Sequence, residues 1–164
     1  MSADLPDPIL PPCEAEFLMC GLAIGAASRD AANRPSSGRV LALRISPDRR
    51  TVTAILVPSR CPELLRDIRA SGQIALACCQ VGSNRTLQLK GRDARVGAIE
   101  PQDFGLIAAQ TGRFVEDVMR YDALPEAMVR TYVQCEPHDL AAISFSPYAV
   151  FAQTPGPNAG VPLT

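Results

Sequence analysis

Three short stretches carry side chains able to hold an anion. The first is VPSRCPELL, Val57 to Leu65. A strand ends at about Val57 and a helix opens at about Ser59 to Pro62. Unpaired backbone N–H groups and a partial positive charge therefore sit beside a hydroxyl, Ser59, and a forked cation, Arg60. That grouping suits a phosphate. It equally describes an N-cap serine followed by a solvated arginine. The second stretch is GRVLALR, in which Arg39 and Arg44 bracket four apolar residues. Strict alternation along a strand sends these two arginines to opposite faces. The third is RTLQLK, Arg85 to Lys90. Thr86, Gln88 and Lys90 share one face of a strand, and Leu87 and Leu89 the other. The polar face meets either water or a polar ligand.

Other reactive residues form no recognisable constellation. The six cysteines (13, 20, 61, 78, 79 and 135) include no C-x-x-C pair, and His138 is the only histidine. A zinc site needs thiolates and imidazoles at short spacing. Cys78 and Cys79 lie in the apolar run IALACCQV and point to opposite faces, as small core residues do. His138 and Asp139 lack a nucleophile that the sequence places beside them, so His138 reads as a surface or interface residue. GLAIGAASRD has two glycines but neither the spacing nor the lysine of a phosphate loop.

The elements that position these residues follow from periodicity. Residues 38–46 and 51–57 read as strands, the second rich in β-branched residues. Residues 59–72 turn helical, with Leu64, Leu65 and Ile68 on one face, Pro62 in the first turn and Gly72 at the end. Residues 73–81 and 83–96 read as two strands of a hairpin around Gly82-Ser83-Asn84. A short helix is expected over 14–20, and GLAIGAAS (21–28) is ambiguous. Helices are expected over 101–120 and 125–135, then strands at LAAISFS and YAVFAQT, split by Pro147. The domain reading is an N-terminal arm (1–16), one domain (17–153) and a Gly/Pro-rich tail (154–164) without regular structure.

Bulk properties restrict the class. The chain has 164 residues, 47% hydrophobic, 20% charged and 5% aromatic, with no Trp. That supports one domain with a core of Ala, Leu, Ile and Val. Net charge is -1, from 16 basic and 17 acidic residues, so no global field draws nucleic acid or an anionic membrane. No apolar run approaches the ~20 residues of a membrane span. The acidic, Pro-rich start lacks the basic residues of a signal peptide, and the expected location is the cytoplasm.

The order strand GRVLALR, strand TVTAILV, helix PSRCPELLRDI, strand IALACC and strand RTLQLKGRDARV resembles the pyridoxamine 5′-phosphate oxidase-like, FMN-binding split-barrel family. The likeness covers residues 17–97, and the terminal strands and tail also look like those of oxidase-related proteins. It implies a mainly β fold, a six- to seven-stranded antiparallel split barrel with flanking helices. It further implies a homodimer with FMN at the subunit interface. Carried over by position, Arg39, Val40 and Arg44 lie on the flavin-contacting strand, and Ala54 and Ile55 approach the ring largely through backbone. Ser59 and Arg60 hold the phosphate; Thr86 and Gln88 line the ring or ribityl chain, with Lys90 nearby. Two departures separate this chain from the oxidase itself. Cys61 stands where a phosphate-binding lysine often follows Ser-Arg, and no C-terminal Arg-x-His signature is present. The expected function is an oxidase-related FMN flavoprotein acting as an oxidoreductase on an unidentified small molecule. The alternative is a non-catalytic dimeric module that binds a flavin or a haem.

Overall fold

A computed structural model describes residues 10–163. The strands are β1 (Ala23–Arg29), β2 (Pro35–Ile45), β3 (Val52–Leu56), β4 (Ile74–Cys79), β5 (Thr86–Gly91), β6 (Arg95–Gly97), β7 (Ala141–Phe145) and β8 (Pro147–Ala152). The helices are α1 (Pro12–Leu18), α2 (Pro62–Ser71), α3 (Asp103–Tyr121) and α4 (Glu126–Val133). A single 3-10 turn, Pro58–Arg60, precedes α2.

All eight strands form one antiparallel sheet in the order β6-β7-β3-β2-β1-β4-β5-β8. Connectivity forces that sheet to curl. β7 and β8 are separated only by Ser146, yet they stand second and last in the order. β5 and β6 are likewise close in sequence and far apart in the sheet. Short links of this kind require the two ends to approach, so the sheet closes as a barrel. The Ser146 N–H donates to Asp93 Oδ1 at 2.9 Å across this junction. Gly91 is required there: a Cβ on it would lie 2.3 Å from the Phe145 ring.

Two expectations need correction. Residues 83–96 are not one strand, because the chain bends at Arg92–Asp93 and its last part leaves β4 to pair with β7. That division and the earlier strand at 23–29 bring the count to eight, above the six or seven expected. The N-terminal helix starts at Pro12 rather than at residue 14, and Leu10, Phe17 and Leu18 are buried in the core. Most of α1 thus lies inside the segment read as an arm, and residues 1–9 of that arm lie outside the described residues. The tail is irregular as read, apart from one bridge between Phe151 and Pro162 and a Leu163 N–H that donates to the Val150 carbonyl at 2.9 Å.

Two apolar cores result. One fills the barrel and is capped by α1 and α2, through Leu10, Phe17, Leu64, Leu65 and Ile68. The other lies outside it, where α3 and α4 cover Leu41, Ala42, Ile55 and Val57. β2 and β3 are therefore buried on both faces, which is why they read as continuous apolar runs. α2 forms as its periodicity requires: its apolar face packs inward, and Gly72 takes the left-handed conformation (φ +67) that ends it. The β4–β5 hairpin also matches the reading, with the Gln80 N–H donating to the Arg85 carbonyl at 2.9 Å. Among the described residues no helix is long and apolar enough to cross a membrane.

Candidate functional site

Cross-strand partners in an antiparallel sheet share a face. One row of such partners runs Arg39 (β2), Gly25 (β1), Ala77 (β4), Gln88 (β5) and Phe151 (β8). The row on one side runs Ala23, Cys79 and Thr86. The row on the other side runs Ser37, Ala27, Ala75, Lys90 and Ala149. Between β2 and β5 the outer face of the barrel is therefore a floor of Ala23, Gly25, Ala27, Ala75, Ala77 and Cys79. Gly25, Ala27 and Ala77 are exposed and the other three half-buried. A Cβ added to Gly25 would meet nothing within 4 Å.

The floor is walled by the polar residues singled out from sequence. Arg39 stands on the β2 side; Thr86, Gln88 and Lys90 stand on the β5 side. The three inter-strand steps between the walls span ~14 Å. A solvent-facing antiparallel sheet normally carries long polar side chains. Here they flank the face and are missing from its middle.

Arg39 is held by aromatic rings. Its guanidinium lies 4.2 Å from the Phe114 ring centre and 4.6 Å from that of Tyr132. Burial between α3, α4 and β2 pulls its pKa below the ordinary arginine value, and Tyr132 partly offsets this. Its Nε is buried without a hydrogen-bond partner. A cavity of about 410 Å³ opens beside it, lined mainly by apolar residues of α3 and α4.

The strand reading of Arg44 is overturned by a bulge. The β2–β3 register shifts between Val40 and Ala42, inserting one residue. Side-chain parity changes there, so Arg39 and Arg44 face the same side, toward α3. Arg44 is fully engaged: its Nε donates to Asp103 Oδ1 and its Nη2 reaches Glu100 Oε1, both at 2.9 Å. It anchors the start of α3. Val40, Ala54 and Ile55 are fully buried, the first two inside the barrel and Ile55 beneath α3. Their side chains do not reach the floor. The backbone of Ala54 and Ile55 lies between β2 and β7.

Ser59 and Arg60 fall on the 3-10 turn before α2, as the sequence predicts. The donors of Ser59 are taken by an internal carboxylate. Its N–H donates to Asp139 Oδ1 at 3.3 Å and its hydroxyl to Asp139 Oδ2. Arg60 donates to the Tyr132 carbonyl at 3.5 Å. Cys61 is buried under β2, where a Cβ on Gly38 would lie 2.7 Å from its own Cβ. Burial, then the nearby Asp139 carboxylate, push its thiol pKa up. Glycine at 38 is what leaves room for this cysteine.

The other polar residues at this end of the barrel are structural. Arg85 pairs with Glu14 at 2.6 Å and lies over Phe17, tying α1 to β5. Cys78 points into the core and Cys79 outward, as read. His138 is exposed. Among the described residues no group of His, Cys, Asp and Glu is arranged to hold a metal.

Sequence reasoning singled out Asp139 beside His138 but missed its pairing with Ser59, the aromatic clamp on Arg39 and the floor itself. The floor had a visible signal: small residues alternate in both GLAIGAAS and IALACC.

Comparison with solved structures decides the fold. HupZ of Group A Streptococcus aligns with a TM-score of 0.53 at 16% identity, over 92% of this chain and 99% of that one. A provisionally assigned pyridoxamine 5′-phosphate oxidase of Lactobacillus delbrueckii gives 0.52 at 14% identity, over 87% of this chain and 93% of that one. This chain has the pyridoxamine 5′-phosphate oxidase-like split-barrel fold. No protein-family model and no curated protein sequence matches it significantly. At these identities the likeness is one of fold, and function rests on what this split barrel carries on its outer face.

Proposed function

We propose that this split barrel binds a flavin of the FMN class on the floor between β2 and β5. A second copy of the chain would close over the ring in a homodimer. The complex would act as an oxidoreductase on a small molecule. The observation that carries the reading is the floor of six small residues, open and walled by Arg39 on one side and by Thr86 and Gln88 on the other. A planar aromatic ring needs that shape, and larger floor residues would prevent its approach. The ring portion of FMN fits these residues.

When bound, FMN supplies the hydride or electron chemistry. The chain's own part is to position it and set its surroundings. The floor shields one face of the ring from water. Arg39, held against Phe114 and Tyr132, places a cation at the edge, where added negative charge is favoured. Gln88 presents an amide whose Oε1 accepts from Gln153 Nε2 at 3.3 Å.

One observation favours the second reading, a module that binds without turnover. Between β2 and β5 the floor and its walls hold no carboxylate and no imidazole. The usual carboxylate or imidazole base is therefore not supplied by this face. Anaerobic mixing of the flavin-loaded protein with a nicotinamide donor separates the two: rapid bleaching supports the oxidoreductase, and an oxidised flavin that persists supports the module.

The binding claim is tested by titrating FMN into wild type and Ala77→Leu while following flavin fluorescence. Leucine at 77 stands on the floor and blocks the ring, so affinity should fall by about tenfold or more, a loss of roughly 1.4 kcal/mol. Equal affinity in both proteins would place the flavin elsewhere, and no binding to wild type would end the reading.

A further inference from the structure

The charge of the cavities near the floor is opposite to what the Ser59-Arg60 motif suggests. Beside Ser59 a cavity of about 280 Å³, which no floor residue lines, holds Arg60 together with Glu136 and Asp139. Two carboxylates face one guanidinium, and Asp139 already occupies both Ser59 donors. A phosphate entering here would meet like charge and would have to displace a bound carboxylate.

Where the floor ends at Ala27 and Ala75, a cavity of about 500 Å³ is lined by Arg29, Lys90 and Arg92, with no carboxylate among its walls. None of these three cations has an ion-pair partner among the described residues. Arg29 donates only to the Asp30 carbonyl, at 3.4 Å. Lys90 Nζ lies 5.0 Å from the Phe151 ring centre, and the Arg92 guanidinium 4.1 Å from that of Tyr148. The nearest acids in sequence are engaged elsewhere. Asp30 pairs with Arg34 at 2.7 Å, and Asp93 accepts the Ser146 N–H. Ala27 and Ala75, which belong to the floor, also line this cavity, so floor and cavity are continuous.

We infer that Arg29, Lys90 and Arg92 form the anion site of this floor, and that they, not Ser59 and Arg60, hold the phosphate end of a bound flavin. The part concerning flavin rests on the functional reading above; the anion site rests on the unpaired cations alone. Lys90 on β5 and Arg92 just after it reach aromatic partners beside the cavity, so they are oriented before any ligand arrives. Asp139 then acts as a selectivity residue, keeping phosphate away from the helix end that the sequence alone would assign to it.

The test titrates FMN, riboflavin and inorganic pyrophosphate into wild type, Lys90→Met/Arg92→Met and Arg60→Met. Methionine keeps the apolar stems over the rings and removes the charge. Wild type should prefer FMN to riboflavin by about tenfold or more, from charge-assisted contacts to the phosphate. The double variant should lose that preference, its affinity for FMN falling to that for riboflavin, and Arg60→Met should keep it. A preference that survives the double variant and disappears with Arg60→Met overturns the inference and leaves flavin binding intact. So does equal affinity of wild type for the two flavins. Pyrophosphate bound by wild type and lost in the double variant, with neither flavin bound, would retain the anion site and end the flavin reading. Binding of none of the three probes would end both.

Discussion

Gln110→Leu isolates the contact that fixes α3 against the barrel. The β1–β2 ladder ends at the Ile24–Val40 pair, so the Leu43 backbone has no strand partner on that side. Gln110 supplies one: its Oε1 accepts the Leu43 N–H at 2.9 Å, and its Nε2 donates to the Leu43 carbonyl at 2.7 Å. The glutamine is 3% exposed, so water does not replace it. Leucine has similar size and removes both bonds, orphaning two buried backbone groups at about 1–3 kcal/mol each. Apolar burial of the leucine offsets part of this, leaving a net loss of about 2–4 kcal/mol. Urea unfolding followed by far-ultraviolet circular dichroism measures it. With a slope of about 2 kcal/mol/M, the midpoint should fall by about 1–2 M. Gln110→Glu should be at least as damaging, because it loses the donor and buries a charge. A Gln110→Leu loss below about 0.5 kcal/mol would refute the reasoning, since it would mean that Leu43 is satisfied without α3. The site depends on this contact, because α3 carries the Phe114 ring that lies against Arg39.

Two further outcomes follow from the same structure. Asp103→Ala removes a fully buried carboxylate that binds Arg44 and the Glu100 N–H; chemical denaturation should report a loss of about 3 kcal/mol. A loss under about 1 kcal/mol would show that Glu100 alone can hold Arg44. Thiol alkylation near pH 8 should modify exposed Cys13 first, whereas Cys61 and Cys78 should react only on unfolding. Burial raises both thiol pKa values, Cys78 most, so the reactive thiolate is scarce as well as inaccessible. Labelling of Cys78 in the native state at the rate of Cys13 would contradict the barrel-core placement.

Much of the fold was legible because local patterns and tertiary burial agree. Leu64, Leu65 and Ile68 announced α2, and Leu87 and Leu89 announced the inner face of β5. Where both faces of a strand are buried, the pattern goes silent. Val40, Leu41, Ala42 and Leu43 are all apolar and buried, so nothing in that run reveals the inserted residue that turns Arg44 toward α3. The candidate site was half legible for a similar reason. Arg39, Thr86, Gln88 and Lys90 do stand around one floor, but Asp139 lies 80 residues from Ser59 and no local spacing connects them. The strand break after Gly91 was also hidden, because Arg92 and Asp93 fit a polar face as well as a bend.

The most direct test is to map bound flavin by amide chemical shifts in uniformly nitrogen-15-labelled protein. FMN on the floor should shift the amides of Gly25, Ala77 and Gln88 most, with those of Lys90 and Arg92 following the phosphate. Shifts confined to Ser59, Arg60 and Asp139, or no shifts at saturating FMN, would contradict flavin binding on the outer face of the barrel.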